Sequence, residues 1–370
     1  MNSKIMIIAG FDQSLILFRR ELIESWLNAG HAVVAAAPGR TVKGVLEEMG
    51  VGYHELPLER TGLNPLKDIK LFFKLLQIFR REKPDRLFLY TIKPVIYGSL
   101  ATFFMPRLRI YSMITGLGYV FIEGSEGGRF LKQLVVFLYK TALKRNSRVF
   151  FQNPDDIAEF EQLGIVQPGK VVRVYGSGIN LERFKQAPCR ERPVTFLLIG
   201  RLLREKGIFE YVEAAKKVKV RYPDAVFKMI GWDLGSSPSA LRRDELQKWR
   251  EEGIVEILDE TDDVRPFLEA CSVYVLPSYR EGTPRTVLEA MAVGRPVITS
   301  DAPGCLETVK EGVNGFLVPV RDIDALAETM EKFIEEPTLI RQMGRESRKL
   351  AEDKFDVHKV NEVINRVMGL

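Results

Sequence analysis

The sequence predicts an α/β protein built from two doubly wound domains in tandem. Three observations carry that expectation. Short apolar, β-branched runs alternate with amphipathic stretches along almost the whole chain. The alternation starts afresh after Gly176–Pro193, a stretch rich in glycine, proline and charge that reads as a linker. The length, 370 residues, exceeds one ordinary core and suits two domains of roughly 150–200 residues each.

In the first half, strands are expected at Ile5–Ala9, Ala32–Ala37, Arg86–Thr91, Arg109–Thr115, Val149–Gln152 and Val171–Tyr175. Helical periodicity lies between them, at Leu15–Ala29, Pro65–Arg81, Phe130–Lys144 and Asp155–Leu163. The second half repeats the scheme with strands at Thr195–Ile199, Ala225–Ile230, Val255–Leu258, Val273–Pro277, Pro296–Ser300 and Gly315–Val318. Its helices are expected at Ile208–Tyr222, Ser239–Glu252, Arg285–Val293 and Asp324–Glu335. Continuous apolar strands with helices between them indicate parallel sheets covered on both faces. The expected domains are residues 1–180 and 181–354, with 355–370 a helix returning to the first. Ligands of such sheets bind outside the carboxyl ends of the strands, so the strand-to-helix loops carry the information.

Charge is divided unevenly. Residues 1–180 hold 24 Lys and Arg against 16 Asp and Glu, whereas the rest of the chain holds 30 against 33. Fourteen of the 22 Phe lie in that basic half. A basic, Phe-rich half beside a mildly acidic one suggests an anionic partner surface, membrane or nucleic acid. No nucleic-acid module is recognisable, so nucleic acid is not an expected partner. The three cysteines (Cys189, Cys271, Cys305) are too few and too scattered for a disulfide framework or metal cluster, which points to a reducing compartment. The longest uncharged runs, Pro94–Pro106 and Ile110–Ile122, have about 13 residues against the roughly 18–20 of a membrane span. No secretion signal is visible, and a soluble, cytoplasmic protein is expected.

The strongest chemical signal runs from Ser278 to Pro296, SYREGTPRTVLEAMAVGRP. A strand ends at Pro277, a glycine-containing loop follows, and Pro284 stands where a first helical residue would be. Backbone N–H groups at that helix start, around Gly282, Thr283, Pro284 and Arg285, suit a phosphate. Glu281 precedes the helix and Glu289 lies about one and a half turns inside it, so they address different parts of one elongated ligand. The plainer alternative is a solvated loop acid and a helix-surface acid. A second motif, Gly200-Arg201-Leu-Leu-Arg-Glu-Lys206-Gly207, follows the first strand of the second half. Arg201 can grip a phosphate bidentately and Lys206 can add a point charge, although basic loop residues are often merely solvated. Neither a phosphate-binding Walker spacing nor a dinucleotide fingerprint is present.

Together, G-R-x4-K-G and E-G-x-P-x4-E-A resemble the signatures of the family-4 retaining glycosyltransferases, which have GT-B architecture: two Rossmann-like domains facing a central cleft. The similarity extends to Phe151–Asn153, Gly176–Asn180, Asp262–Val264, Thr299–Asp301, Pro303–Cys305 and Asn314–Val318. Ile114–Phe121 and Ser14–Arg19 resemble PglA-type N-acetylhexosamine transferases of bacterial surface-polysaccharide assembly. The resemblance implies Arg201 and Lys206 on the donor diphosphate, Glu289 on the ribose hydroxyls, and Glu281 with the Gly282–Arg285 backbone on the donor sugar. It implies no metal and no cofactor, the nucleotide-sugar, a UDP-sugar, being a co-substrate. Asp12, Ser14, Arg19, Thr115 and Gly116 are the expected acceptor-side residues, the first three also readable as capping and surface residues. The implied acceptor is a polyprenyl-diphosphate-linked saccharide.

Two departures from the family stand out. No histidine occurs between His54 and His358, although many relatives use one to contact the donor sugar. Asp259 stands where relatives commonly have glycine. Asn64–Arg81 and Arg129–Arg148 are basic, aromatic and helically periodic, fit either for an anionic lipid interface or for covering the first sheet. The expected location is therefore cytoplasmic and peripheral, at the inner face of the membrane. Two other classes compete: a nucleotide-sugar epimerase of similar shape and a non-catalytic sugar-nucleotide binder.

Overall fold

The computed structural model describes residues 2–59, 64–118, 121, 128–232 and 239–370. The chain divides into two compact units, one of residues 1–177 with 358–370 and one of 178–357.

In the first unit, β1 (Lys4–Ile8), α1 (Ser14–Leu17), α2 (Arg20–Asn28), β2 (Ala32–Ala37), α3 (Lys43–Glu48) and β3 (Gly52–Glu55) come first. They are followed by α4 (Pro65–Glu82), β4 (Arg86–Tyr90), a π-helical turn Pro94–Gly98, α5 (Ser99–Ala101) and β5 (Arg109–Ile114). The unit's sheet ends with α6 (Gly128–Leu143), β6 (Arg148–Phe151), α7 (Pro154–Gln162) and β7 (Val171–Arg173). The seven strands are ordered β3-β2-β1-β4-β5-β6-β7, all parallel where they pair. Alternate residues of β1 serve opposite faces. Met6 and Ile8 join the core under α4 and α6, while Ile5 and Ile7 join the core under α2 and α3.

The second unit runs β8 (Thr195–Arg201), α8 (Ile208–Arg221), β9 (Val226–Trp232), α9 (Arg243–Glu252), β10 (Glu256–Leu258) and α10 (Arg265–Ala270). It continues through β11 (Val273–Leu276), α11 (Arg285–Val293), β12 (Val297–Ser300), β13 (Gly315–Val318), α12 (Ile323–Glu335) and α13 (Thr338–Lys354). Its six parallel strands are ordered β10-β9-β8-β11-β12-β13. The last helix, α14 (Val357–Met368), covers the first sheet: Val360, Ile364 and Met368 enter its core, and Trp26 Nε1 donates to Asn365 Oδ1 at 2.8 Å.

The doubly wound class expected from the sequence is the one found, with local corrections. The helix expected at Leu15–Ala29 is broken, because Arg19 leaves helical geometry (φ −132°) as its side chain turns into the core. The helix expected from Ser239 starts at Arg243; Arg204 N donates to Ser239 O at 2.9 Å and Leu241 N to Leu202 O at 3.0 Å, so these residues pair with the chain after β8. Pro284 caps α11 from an extended conformation (ψ 111°) and is not its first helical residue. Of the Ile114–Phe121 block, Tyr119 and Val120 lie outside the described residues.

Candidate functional site

In each sheet the strand order reverses at one place, between β1 and β4 and between β8 and β11. There the outgoing loops diverge and leave a crevice at the strands' carboxyl ends. In the second unit those two loops carry both motifs. β8 and β11 are neighbours (Val273↔Phe196, Tyr274↔Leu197), so residues far apart in sequence leave the sheet side by side.

The loops are fastened by backbone. The carbonyl of Glu205 accepts from Tyr279 N at 2.8 Å and from Ser278 Oγ at 2.9 Å. Gly207 sits in the left-handed region (φ +70°), where a Cβ would lie 2.1 Å from the Pro277 carbonyl oxygen. Gly304 (φ +79°) has the same relation to Glu281, whose carbonyl oxygen would be 2.2 Å from a Cβ. Only glycine fits at either place, so the loop bearing Glu281 rests against bare backbone on both sides. Tyr279 OH donates to Glu210 Oε1 at 2.6 Å while Arg321 lies 4.6 Å from its ring centroid; burial foremost, with Glu210, pushes the phenol up to about 12.

Within this frame Lys206 Nζ donates to Glu281 Oε1, the same oxygen that accepts from Ser278 Oγ at 2.9 Å. Both side chains of the pair are 12% exposed. The thiol of Cys305 is buried beneath them, its pKa pushed up to about 12 by burial and by the Glu281 charge. Arg201 is half-buried at the end of β8, and among the described residues its guanidinium has no hydrogen-bond or ion-pair partner. On α11, Arg285 Nε donates to Glu289 Oε1 at 3.1 Å, and Arg285 Nη1 donates to the Gly178 carbonyl at 2.6 Å. Burial pushes the Glu289 carboxyl above its ordinary value, against the opposing pull of Arg285 and Arg183. Gly282 and Pro284 are buried and Thr283 half-buried at the helix entrance.

The first-unit candidates divide differently. Asp12 is 5% exposed, and its carboxylate accepts from Gln13 N at 2.9 Å and Thr41 N at 2.8 Å, tying the loop after β1 to the loop after β2. Ser14 Oγ donates to the Phe11 carbonyl and lies 2.9 Å from Tyr90 OH. Arg19 is 2% exposed, its guanidinium 5.2 Å from the Tyr90 ring centroid and bonded to Met113 Sδ. These three side chains brace the loop from beneath. Thr115 and Gly116, half-buried beyond β5, remain accessible.

The sequence reading missed Thr91. It directly follows β4, beside the loop after β1, and its φ is +69°, costly for a β-branched residue. A Cβ on Gly10 would lie 2.4 Å from its Oγ1, so the Thr91 side chain would have to turn to admit one. A backbone angle has no signature in residue type, and Gly10 alone was too weak a clue. Among the described residues no group of three or more His, Cys, Asp and Glu comes together in a metal-holding arrangement.

A doubly wound domain that sets an unpartnered arginine, a lysine–carboxylate pair and a helix entrance around its reversal point is a site for an anionic, hydroxyl-rich ligand. Two family models match the chain in succession, a glycosyl transferase 4-like domain over residues 18–176 and glycosyl transferases group 1 over residues 180–350. The chain belongs to this family of glycosyltransferases, with its two Rossmann-like domains. It is 26% identical over 340 residues, 88% of each chain, to the N,N'-diacetylbacillosaminyl-diphospho-undecaprenol alpha-1,3-N-acetylgalactosaminyltransferase of Campylobacter jejuni. It is 27% identical over 374 residues to the capsular polysaccharide biosynthesis glycosyltransferase CapM of Staphylococcus aureus, covering 96% of this chain and 93% of that one. In fold it is similar to HepE of Anabaena, solved with UDP-glucose, at TM-score 0.80 and 20% identity over the whole of both chains.

Proposed function

We propose that this glycosyltransferase is a retaining enzyme that moves a hexosyl group, an N-acetylhexosamine, from a UDP-sugar to a polyprenyl-diphosphate-linked saccharide in bacterial surface-polysaccharide synthesis. The observation that carries the reading is the convergence of Arg201, Lys206, Glu281 and the α11 entrance at one strand-order reversal. The relatives named above support the acceptor class, one by acting on a diphospho-undecaprenol sugar and one by serving capsule synthesis.

In this reading the donor diphosphate lies against Arg201 and Lys206, with the α11 N–H groups adding partial positive charge. The anomeric carbon–phosphate oxygen bond breaks, and negative charge grows on the leaving UDP where these groups stand. The acceptor hydroxyl attacks from the same face, forming the new glycosidic bond, and its proton passes to the departing phosphate oxygen. Glu281 is held by Lys206 and Ser278 and positions the donor sugar; it is not a covalent nucleophile. Glu289, fixed by Arg285, accepts the ribose hydroxyls. The reading calls for no metal: Arg201, Lys206 and the α11 N–H groups supply the positive charge that faces the diphosphate. Thr115 and Gly116 contact the acceptor, on a first domain whose loop Asp12, Ser14 and Arg19 brace. A lipid-linked acceptor places the enzyme on the cytoplasmic face of an anionic membrane.

The test is transfer of radiolabel from a panel of UDP-sugars to a bacterial lipid extract in excess chelator, with the product's anomeric configuration read by NMR. Labelled lipid-linked product with the donor's configuration supports the reading. An inverted product, strict dependence on added divalent metal, or epimerised free UDP-sugar without any acceptor overturns it.

A further inference from the structure

The first unit presents an unusual surface on the face covered by α4 and α6. On α4 the exposed side chains Leu66, Ile69 and Phe73 form one row, Leu66 being 76% exposed. On α6 the corresponding row is Phe130, Leu134 and Phe137, Phe130 being 79% exposed. Between the helices lies the segment of the π-helical turn and α5, against which both pack, and it ends in exposed Phe103 and Phe104. Among the described residues these elements hold eight large exposed apolar side chains, where the entire second unit has three. Scattered single exposures are ordinary; a group on adjacent helices marks an interaction surface.

The electrostatics of this face say what covers it. α6 contains no acidic residue. The two acids of α4 are turned inward: Asp68 accepts from Lys93 Nζ at 2.7 Å and Tyr97 OH at 2.9 Å, and Glu82 accepts from Lys4 Nζ at 2.6 Å and lies 3.0 Å from His54 Nε2. By contrast Lys70, Lys74, Arg107, Arg129, Lys140 and Lys144 have no ion-pair partner among the described residues. The exposed side chains of the two helices are thus apolar, basic or neutral (Gln77, Gln133), and none is acidic. A protein partner would need a matching apolar core, whereas an anionic bilayer accepts aromatic side chains at the headgroup level and attracts lysine and arginine over a Debye length. The placement agrees. In a parallel βα unit a helix starts at the carboxyl end of the preceding strand; the α4 row and Phe130 and Leu134 of α6 lie in the first halves of their helices, with Phe137 just beyond. The surface therefore adjoins the edge where Thr115 and Gly116 lie.

We infer that α4, α6 and the turn around Phe103 and Phe104 together form the docking face for an anionic lipid bilayer. The inference deepens the reading of a lipid-linked acceptor, but vesicle binding is measured without donor or acceptor, so its outcome is independent of which sugar or lipid the enzyme uses. The probe is co-sedimentation with vesicles of phosphatidylcholine containing about one third phosphatidylglycerol. The wild type binds these more tightly than pure phosphatidylcholine vesicles, and binding weakens as salt rises from about 0.1 M to about 0.5 M. Phe73→Ser with Phe137→Ser lowers partitioning by roughly tenfold or more, and each of Lys70→Gln and Lys74→Gln by up to about fivefold. All four positions lie outside the chemistry, so turnover of a short-chain, water-soluble acceptor is unchanged. Equal partitioning of wild type and the Phe variant overturns the inference. So does a concentration-dependent dimer in sedimentation velocity that the same substitutions dissolve, since a second copy would then be the occupant.

Discussion

Lys206 and Glu281, 75 residues apart in the chain, form an ion pair at the carboxyl ends of the neighbouring strands β8 and β11. Each side chain is 12% exposed, so removing one leaves the other poorly solvated, at a cost of about 1–3 kcal/mol. Lys206→Ala is expected to weaken donor binding by about tenfold or more, and Glu281→Gln to lower kcat by about a hundredfold. The double variant should lose less than the sum of the two, because each single change already breaks the pair. Isothermal titration with UDP and steady-state kinetics on the four proteins check this. Full additivity would mean that the pair is incidental.

Gly207→Ala tests how the loops are fastened. Its Cβ would strike the Pro277 carbonyl at 2.1 Å in a left-handed conformation, so one of the two loops must move. A loss of more than about 2 kcal/mol is expected, together with weaker UDP binding. Gly253 supplies the control: it is equally left-handed at φ +66°, but nothing lies within 4 Å of its added Cβ. Gly253→Ala should cost only about 1 kcal/mol, with unchanged UDP affinity. Thermal melts with and without UDP separate the two cases.

These contrasts bear on what the sequence could say. Glu281 and Glu289 were legible because eight residues of loop and helix hold them and local spacing decides their geometry. Their meeting with Lys206 was not, since it depends on β8 and β11 being neighbours, a fact of strand order. Asp12, Ser14 and Arg19 looked like displayed polar residues, yet burial is a tertiary property and all three point inward. Asp68, in a stretch whose sequence reads as basic and aromatic, and Glu82, one residue past the helix expected there, are engaged by Lys93, Lys4 and His54, partners that only the fold brings to them. Short elements such as α3 and β3 escaped because six and four residues carry too little periodicity.

The ribose contact proposed for Glu289 would make donor binding dependent on pH. Its carboxyl is raised above the ordinary glutamate value by burial, so protonation begins at a higher pH than for an exposed acid. In the proposed contact the ionised form accepts two ribose hydroxyls and the protonated form accepts less well. UDP affinity should therefore fall on the acid side, starting above the usual carboxylate range. In Glu289→Gln affinity should be lower at neutral pH and flat across the same interval. A wild-type profile as flat as the variant's would remove Glu289 from the ribose contact.

Glu82 gives the opposite sign, in stability. Its carboxylate is lowered from the ordinary value by the hydrogen bond from Lys4, which outweighs burial, with a further contribution from His54. The interaction joins the end of α4 to the start of β1 and to β3. A depressed carboxylate stabilises the fold above the unfolded-state pKa, and the gain is lost as pH falls through the folded value. Glu82→Gln should thus cost about 1–2 kcal/mol at neutral pH. The difference from wild type should shrink as pH drops through the ordinary carboxylate range and vanish below the depressed value. Urea melts of both proteins across that interval measure it. A difference that stays constant with pH would assign the loss to packing, since a neutral amide fills the same space at every pH.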